Sequence, residues 1–268
     1  MRYVPVVLAL CLMACSALAA PLPPPSPATG QQAAMTIDHS SWKQILSRYI
    51  RSTPDGVNLF AYGTVSAADR KLLKDYLASL QAAEVHRLPR DEQMAFWINL
   101  YNAKTIDIVL DHYPVKSIRD ISLGGGLFTT GPWKKQVMTV EGQPLSLDNV
   151  EHDILRKQWK DPRVHYAVNC ASLSCPNLSA KPFTGMDLDA MLDDGARAYI
   201  NHPRGVTFRG ERLVLSQIFE WYGKDFGSTD AEVISHLSRY ANPDLKAKLA
   251  TVRSIADYGY DWSLNEAK

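Results

Sequence analysis

Cysteine is scarce in this chain: its 268 residues include four. Cys11 and Cys15 sit near the N-terminus, which leaves Cys170 and Cys175 for everything beyond. So few thiols exclude a disulfide-stapled miniature fold, and stability must come from an apolar core. Long hydrophobic runs are missing as well. The stretch 4–14, broken by Pro5 and Cys11, is well short of the roughly 20 apolar residues that span a bilayer. Neither sign of charge dominates, with 29 Lys and Arg against 28 Asp and Glu. The charges are mixed along the chain, which excludes the concentrated basic face of a nucleic-acid binder. There is no internal repeat and no low-complexity stretch after Gln32.

What is present at the N-terminus reads as an export signal. Met1, Arg2 and Tyr3 precede an apolar run of the length of a signal-peptide h-region. Ala17-Leu18-Ala19 is a small-x-small cleavage site. Leu12-Met13-Ala14-Cys15 reads loosely as a lipobox, so the alternative is a chain anchored by a lipid on Cys15. The expectation is a signal peptide over 1–19, a proline-rich tether over 20–34 and a single domain over 35–268. The tether (PLPPPSPATGQQ) cannot pair regularly, because proline lacks the backbone donor and fixes φ. The mature chain is expected outside the cytoplasm, periplasmic or secreted, with no transmembrane span.

Periodicity predicts helices over 38–51, 66–80, 90–112, 146–159, 187–200 and 229–249. Strand patterns fall at 57–62, in hairpins over 136–145 and 206–215, at 164–168, and along the C-terminus, where Ala256, Tyr258, Tyr260, Trp262 and Leu264 alternate. Helices outnumber strands, and the strands come as hairpins and singles. That is a helix-rich α+β domain with a small antiparallel or mixed sheet. Gly124-Gly125-Gly126 marks a loop suited to a lid.

Polar residues interrupt the apolar pattern at three places. Glu151 falls within the stripe formed by Leu147, Val150, Ile154 and Leu155, with His152 at its edge. A carboxylate there is paired, lines a cleft, or snorkels to a rim. Asn99 and Asn102 share a helix face with Ala95, Ile106 and Leu110, opposite a wet face marked by Lys104 and Asp107. Buried amides either anchor loops or orient another polar group. The densest cluster is RVHYAVNCASLSCP, residues 163–176. Strand alternation would set His165, Ala167 and Asn169 on one face, then display Cys170, Ser172 and Cys175 at the strand's end. A cysteine nucleophile needs a base, His165 or His152, and an orienter from Asn99, Asn169 and Glu151. Other readings compete: a Cys170–Cys175 disulfide with His165 satisfied in the core, a cysteine buried as a small apolar residue, or zinc held by Cys170, Cys175, His152 and His165.

Those blocks, AFWINLYNA (95–103), GPW (131–133), LSLDNVEHDILR (145–156), HYAVNCASLSCP (165–176), LSQIFEWYGKDF (215–226) and YDWSLN (260–265), resemble bacterial members of domain-of-unknown-function family 547. The resemblance covers the expected domain nearly end to end. It implies a fold related to papain-type thiol hydrolases with permuted order, and it sets Asn99, Asn102, Glu151, His152, His165, Cys170, Ser172 and Cys175 inside the family's motif blocks.

The leading expectation is an envelope thiol hydrolase or transferase acting on an amide, peptide or thiol conjugate, without cofactor. Cys170 is the nucleophile, His165 or His152 the base, Glu151 or Asn99 the orienter. Asn102, Asn169, Ser172 and Cys175 are further pocket residues, and backbone N–H groups over 171–174 supply an oxyanion site. The alternative is a non-catalytic binding module with a Cys170–Cys175 disulfide and a cleft lined by Asn99, Glu151 and the aromatic residues of the last strand. Either takes an unidentified small molecule or peptide.

Overall fold

The computed structural model describes residues 36–124 and 130–268. The expected signal, the tether, Cys11 and Cys15, and Gly125 and Gly126 of the glycine loop lie outside the described residues.

The fold is a helix-rich α+β domain, with three small sheets among the described residues. Helix α1 (Ser40–Tyr49) buries Trp42, Ile45, Leu46 and Tyr49, the spacing that puts four side chains on one stripe. Strands β1 (Ile50–Ser52) and β2 (Asn58–Phe60) pair antiparallel. Helix α2 (Ala67–Gln81) starts at Ser66, whose hydroxyl accepts from the Asp69 amide. Helix α3 (Arg90–His112) is the central element. Nearly every residue from Glu92 to Leu110 is buried, so its expected wet face does not exist. Asp107 is buried because α2 packs over it, and it accepts from Lys74 at 2.8 Å and Lys104 at 2.9 Å.

The hairpin β3 (Met138–Val140) and β4 (Gln143–Leu145) leads into Ser146, whose hydroxyl accepts from the Asn149 amide. The helix that follows is wound as a π-helix over Asn149–Leu155 before the short α4 (Arg156–Trp159). Helix α5 (Leu188–Ile200) precedes the hairpin β5 (Val206–Arg209) and β6 (Arg212–Ser216). The short helices α6 (Ile218–Trp221) and α7 (Gly223–Phe226) follow. Helix α8 (Asp230–Tyr240) opens with a Thr229–Glu232 capping box, and α9 (Pro243–Leu249) comes after it. Strand β7 (Asp257–Gly259) adds parallel to β6. The C-terminal alternation does not continue as a strand. Beyond Gly259 the chain keeps only isolated bridges, Ser172 to Leu264 and Phe60 to Glu266.

Two apolar clusters result. One gathers α1, α2, α3 and the π-helical turn. The other gathers β5, β6 and the helices up to α9, and α5 joins the two, with Leu188, Met191 and Leu192 in the first and Ala196, Tyr199 and Ile200 in the second. The segment 162–176 runs along their boundary, with Val164 and Val168 in the first cluster and Tyr166 in the second.

Candidate functional site

The predicted strand at 164–168 is instead a 3-10 turn, Pro162–Tyr166. Asp161 caps it by accepting from the Arg163 amide at 2.9 Å, and Pro162 stands at its first position. A proline with its φ preset after a capping aspartate starts a helical turn, and this local closure overrides the β-branched pattern. The two-face alternation is lost with it.

The chain then enters the loop 169–176, which is tied down at almost every residue. Asn102 on α3 donates to the Ala167 carbonyl at 2.9 Å and accepts from the Asn169 amide at 2.8 Å. Asn169 in turn donates to the Pro176 carbonyl and accepts from the Ala171 amide. These bonds hold Ala171 at φ 59°, in the left-handed region, at a cost of about 1–3 kcal/mol. The last segment of the chain fixes the other side: the amides of Leu173 and Ser174 donate to the carbonyls of Ser263 and Asp261. Arg204 closes the ring. It donates to the carbonyls of Leu173 and Cys175, at 2.9 and 3.0 Å, and to the side chain of Asn177. Among the described residues no carboxylate forms an ion pair with this half-buried guanidinium, and burial pulls its pKa down.

The loop holds two free thiols, Cys170 partly exposed and Cys175 buried, with their sulfurs 2.9 Å apart. Hydroxyls of Ser172 and Tyr260 lie 3.2 and 3.1 Å from the Cys170 sulfur and 2.9 Å from each other. The Cys170 pKa is lowered, first by the hydrogen bond from the Cys175 thiol, then by the Ser172 and Tyr260 hydroxyls and the Ser172 amide, against the cost of burial. Cys175 moves well up, because it is buried and faces the charge on Cys170. The pair therefore divides into a thiolate-forming Cys170 and a protonated Cys175.

Neither histidine completes the expected dyad. Among the described residues the Cys170 sulfur bonds to Ser172, Cys175 and Tyr260, and to neither His152 nor His165. The expected oxyanion site is also spent: the amides of Ala171, Leu173 and Ser174 donate within the fold, and that of Ser172 faces the sulfur.

The histidines form the opposite wall. His165 is buried, stacked on Tyr222 with ring centroids 4.1 Å apart. Its Nε2 lies 2.7 Å from Asp225 Oδ2, and its Nδ1 has no hydrogen-bond partner, with Glu151 Oε1 3.7 Å away. Burial raises the Glu151 pKa, but His165, His152 and the Tyr222 hydroxyl together bring it below the ordinary value. Asp225 is likewise lowered against burial by His165 and Arg156. Arg156 also donates to His152 Nδ1 at 3.2 Å. Glu151 thus takes the paired reading of its place in the apolar stripe.

The two walls enclose a cleft of about 350 Å³. Its mouth is aromatic: Tyr260, Trp262 and Trp221 have centroids 4.6 to 5.5 Å apart, and Trp221 is 43% exposed. Cys170, Cys175, His165, His152 and Glu151 all line this cleft. Asn99 does not join them. It bonds both backbone groups of Phe183 and the ring of His39, so it anchors a loop and orients a different histidine. Among the described residues no group of three or more His, Cys, Asp or Glu side chains is placed to hold a metal ion.

Sequence reasoning missed Asp225, Tyr222 and Arg204 as site residues, and it offered Tyr260 as an aromatic cleft wall in the binding-module alternative, not as a hydroxyl at the thiol. Asp225 and Tyr222 stand in the LSQIFEWYGKDF block, where an acid between aromatic residues was the available signal. Arg204 carries no comparable mark.

A helix-rich α+β domain with a dithiol at the base of an aromatic cleft is the class that fold and site define. Residues 85–200 match the family described as "Protein of unknown function, DUF547". The match includes α3, the π-helical turn and the cysteine loop. No curated protein and no solved structure matches the chain.

Proposed function

We propose that this is an exported bacterial thiol transferase or hydrolase that uses Cys170 as a covalent nucleophile on a thiol conjugate. The observation that carries the reading is the set of rotatable polar hydrogens gathered at the Cys170 sulfur: the Cys175 thiol at 2.9 Å and the Ser172 and Tyr260 hydroxyls at 3.2 and 3.1 Å. A thiolate stabilised in this way needs no base to attack. Export rests on the leader-like segment 1–19.

The same geometry narrows the substrate. Amide cleavage needs a proton for the leaving nitrogen and donors for the tetrahedral oxyanion. No imidazole touches Cys170, and the loop amides are committed elsewhere. A thioester asks for less, because its leaving thiolate departs unprotonated. Cys170 S⁻ attacks the carbonyl carbon, the C–S bond of the conjugate breaks, and the acyl group rests on Cys170. Water or another acceptor then takes the acyl group. The proton released in that step is taken up by the departed thiolate, which leaves as the thiol. The aromatic mouth receives an apolar acyl group.

Incubation of the full chain with an aryl thioester tests this. Peptide mass spectrometry is expected to find an acyl group on Cys170, and Cys170→Ser is expected to abolish turnover. Iodoacetamide labelling of Cys170 should have a pH midpoint below the ordinary thiol value of about 8.5. An ordinary midpoint, or equal turnover by Cys170→Ser, would sink the proposal.

A further inference from the structure

The nucleophile reading accounts for Cys170 and leaves Cys175 unexplained. Cys175 is 4% exposed, yet it lines the cleft and its sulfur lies 2.9 Å from that of Cys170. A buried thiol with only a packing role has no need of that contact. We propose that the two cysteines act as one redox dithiol and that the cleft carries out thiol–disulfide exchange on organic disulfides bearing apolar or aromatic groups. The inference rests on the reading of Cys170 as a nucleophile and adds a second activity to the same cleft.

Three features support it. The first is distance. A disulfide bond is about 2.05 Å long, so closure requires the sulfurs to approach by less than about 1 Å. The surrounding loop is held by Asn102, Asn169, Arg204 and the C-terminal segment, which keeps the sulfurs together without a covalent bond. The second is the division of labour. Cys170 is the exposed member with donors around it, and Cys175 is the buried member, which suits one attacking and one resolving thiol. The third is the Cys170 backbone amide, which donates to the Cys175 sulfur at 2.9 Å. Once Cys170 is capped, its negative charge is gone, and this amide is in place to stabilise charge developing on Cys175.

The steps balance. Cys170 S⁻ attacks one sulfur of a substrate disulfide R–S–S–R′. The S–S bond breaks, a mixed disulfide forms between Cys170 and SR, and R′S⁻ leaves. R′S⁻ takes up the proton that Cys175 loses. Cys175 S⁻ then attacks the Cys170 sulfur and releases RS⁻. The substrate disulfide gains two electrons and becomes the thiol R′SH and the thiolate RS⁻, which takes from solvent the proton that Cys170 gave up on ionising; the dithiol loses two electrons and becomes the Cys170–Cys175 disulfide. The mutually tilted rings of Trp221, Tyr260 and Trp262 flank the approach to Cys170 and select for apolar or aromatic R groups.

The probe is 4,4′-dithiodipyridine, a neutral aromatic disulfide, applied to the reduced full chain, with peptide mass spectrometry to separate this pair from Cys11 and Cys15. Wild-type protein is expected to release both thiopyridone halves per Cys170–Cys175 pair and to end with those peptides disulfide-linked. Cys175→Ala is expected to release one half and retain the other on Cys170. If that variant does not fold, the wild-type endpoint alone decides. A stable wild-type adduct on Cys170, with Cys175 still open to alkylation after unfolding, would overturn the dithiol proposal and leave the nucleophile intact. No modification of Cys170 at all would overturn both.

Discussion

At the scale of single residues, Tyr260 carries the most informative test. Its hydroxyl touches both the Cys170 sulfur and the Ser172 hydroxyl. Those three atoms make three contacts, but once Cys170 is a thiolate only two hydroxyl protons remain to serve them. Both protons then point at sulfur, or one reaches it through the other hydroxyl. A hydrogen bond to a charged group contributes about 1.5–3 kcal/mol. Tyr260→Phe is therefore expected to raise the pH midpoint of Cys170 alkylation by about one to two units, measured by iodoacetamide labelling at a series of pH values. An unchanged midpoint would show that the hydroxyl does not stabilise the thiolate. Cys170, His165, His152 and Glu151 were legible because each is a reactive or charged type where the pattern called for apolar residues. Tyr260 was legible only as an aromatic wall, because its hydroxyl is invisible to periodicity. Arg204 was hidden for the opposite reason: an arginine before a hairpin looks like surface.

At the scale of elements, the sequence pattern served the helices well and the cysteine segment poorly. Helices α2, α3, α5 and α8 lie where stripes and caps put them, since i, i+3, i+4 spacing and Ser66 or Thr229 caps are local signals. The π winding over Asn149–Leu155 left no trace, because seven residues at changed pitch keep the same apolar composition. The segment at 164–168 was misread because Val164, Tyr166 and Val168 alternate as a strand does, while Asp161-Pro162 sets a turn. Asn102 binds that turn to α3, and Asn102→Ala would leave the Ala167 carbonyl and the Asn169 amide without their partner. The expected loss is about 2–3 kcal/mol, read as a lower denaturant midpoint, accompanied by slower Cys170 labelling. A variant with wild-type stability would mean the loop holds itself.

At the scale of the whole molecule, acid tolerance is set by a buried ring far from the cysteines in sequence. His236 on α8 is 1% exposed and shares a hydrogen bond with the Tyr166 hydroxyl at 2.8 Å. Burial, aided by Arg239, lowers its pKa from 6.5 to about 4. The unfolded chain takes up this proton near 6.5 and the folded chain only near 4, so the neutral ring favours the fold fully above 6.5. That contribution is lost as pH falls from 6.5 towards 4, on the order of 3 kcal/mol in all. Melting temperature is expected to drop steeply across this window, and His236→Gln should flatten the slope. Glu151 and Asp225, both lowered below the ordinary carboxylate range, lose their contributions further down, as pH falls through their folded values.

The ring of bonds around the cysteine loop has a thermodynamic consequence through Arg204. Its guanidinium bonds the Leu173 and Cys175 carbonyls and is held without a carboxylate partner among the described residues. A positive charge kept in that position favours whichever state of the loop carries a negative one. In the proposed exchange Cys175 ionises before it attacks, and its charge is the one this guanidinium feels. The same arginine that shapes the loop thus eases ionisation of the resolving thiol, and its loss is expected to slow closure of the disulfide more than attack by Cys170.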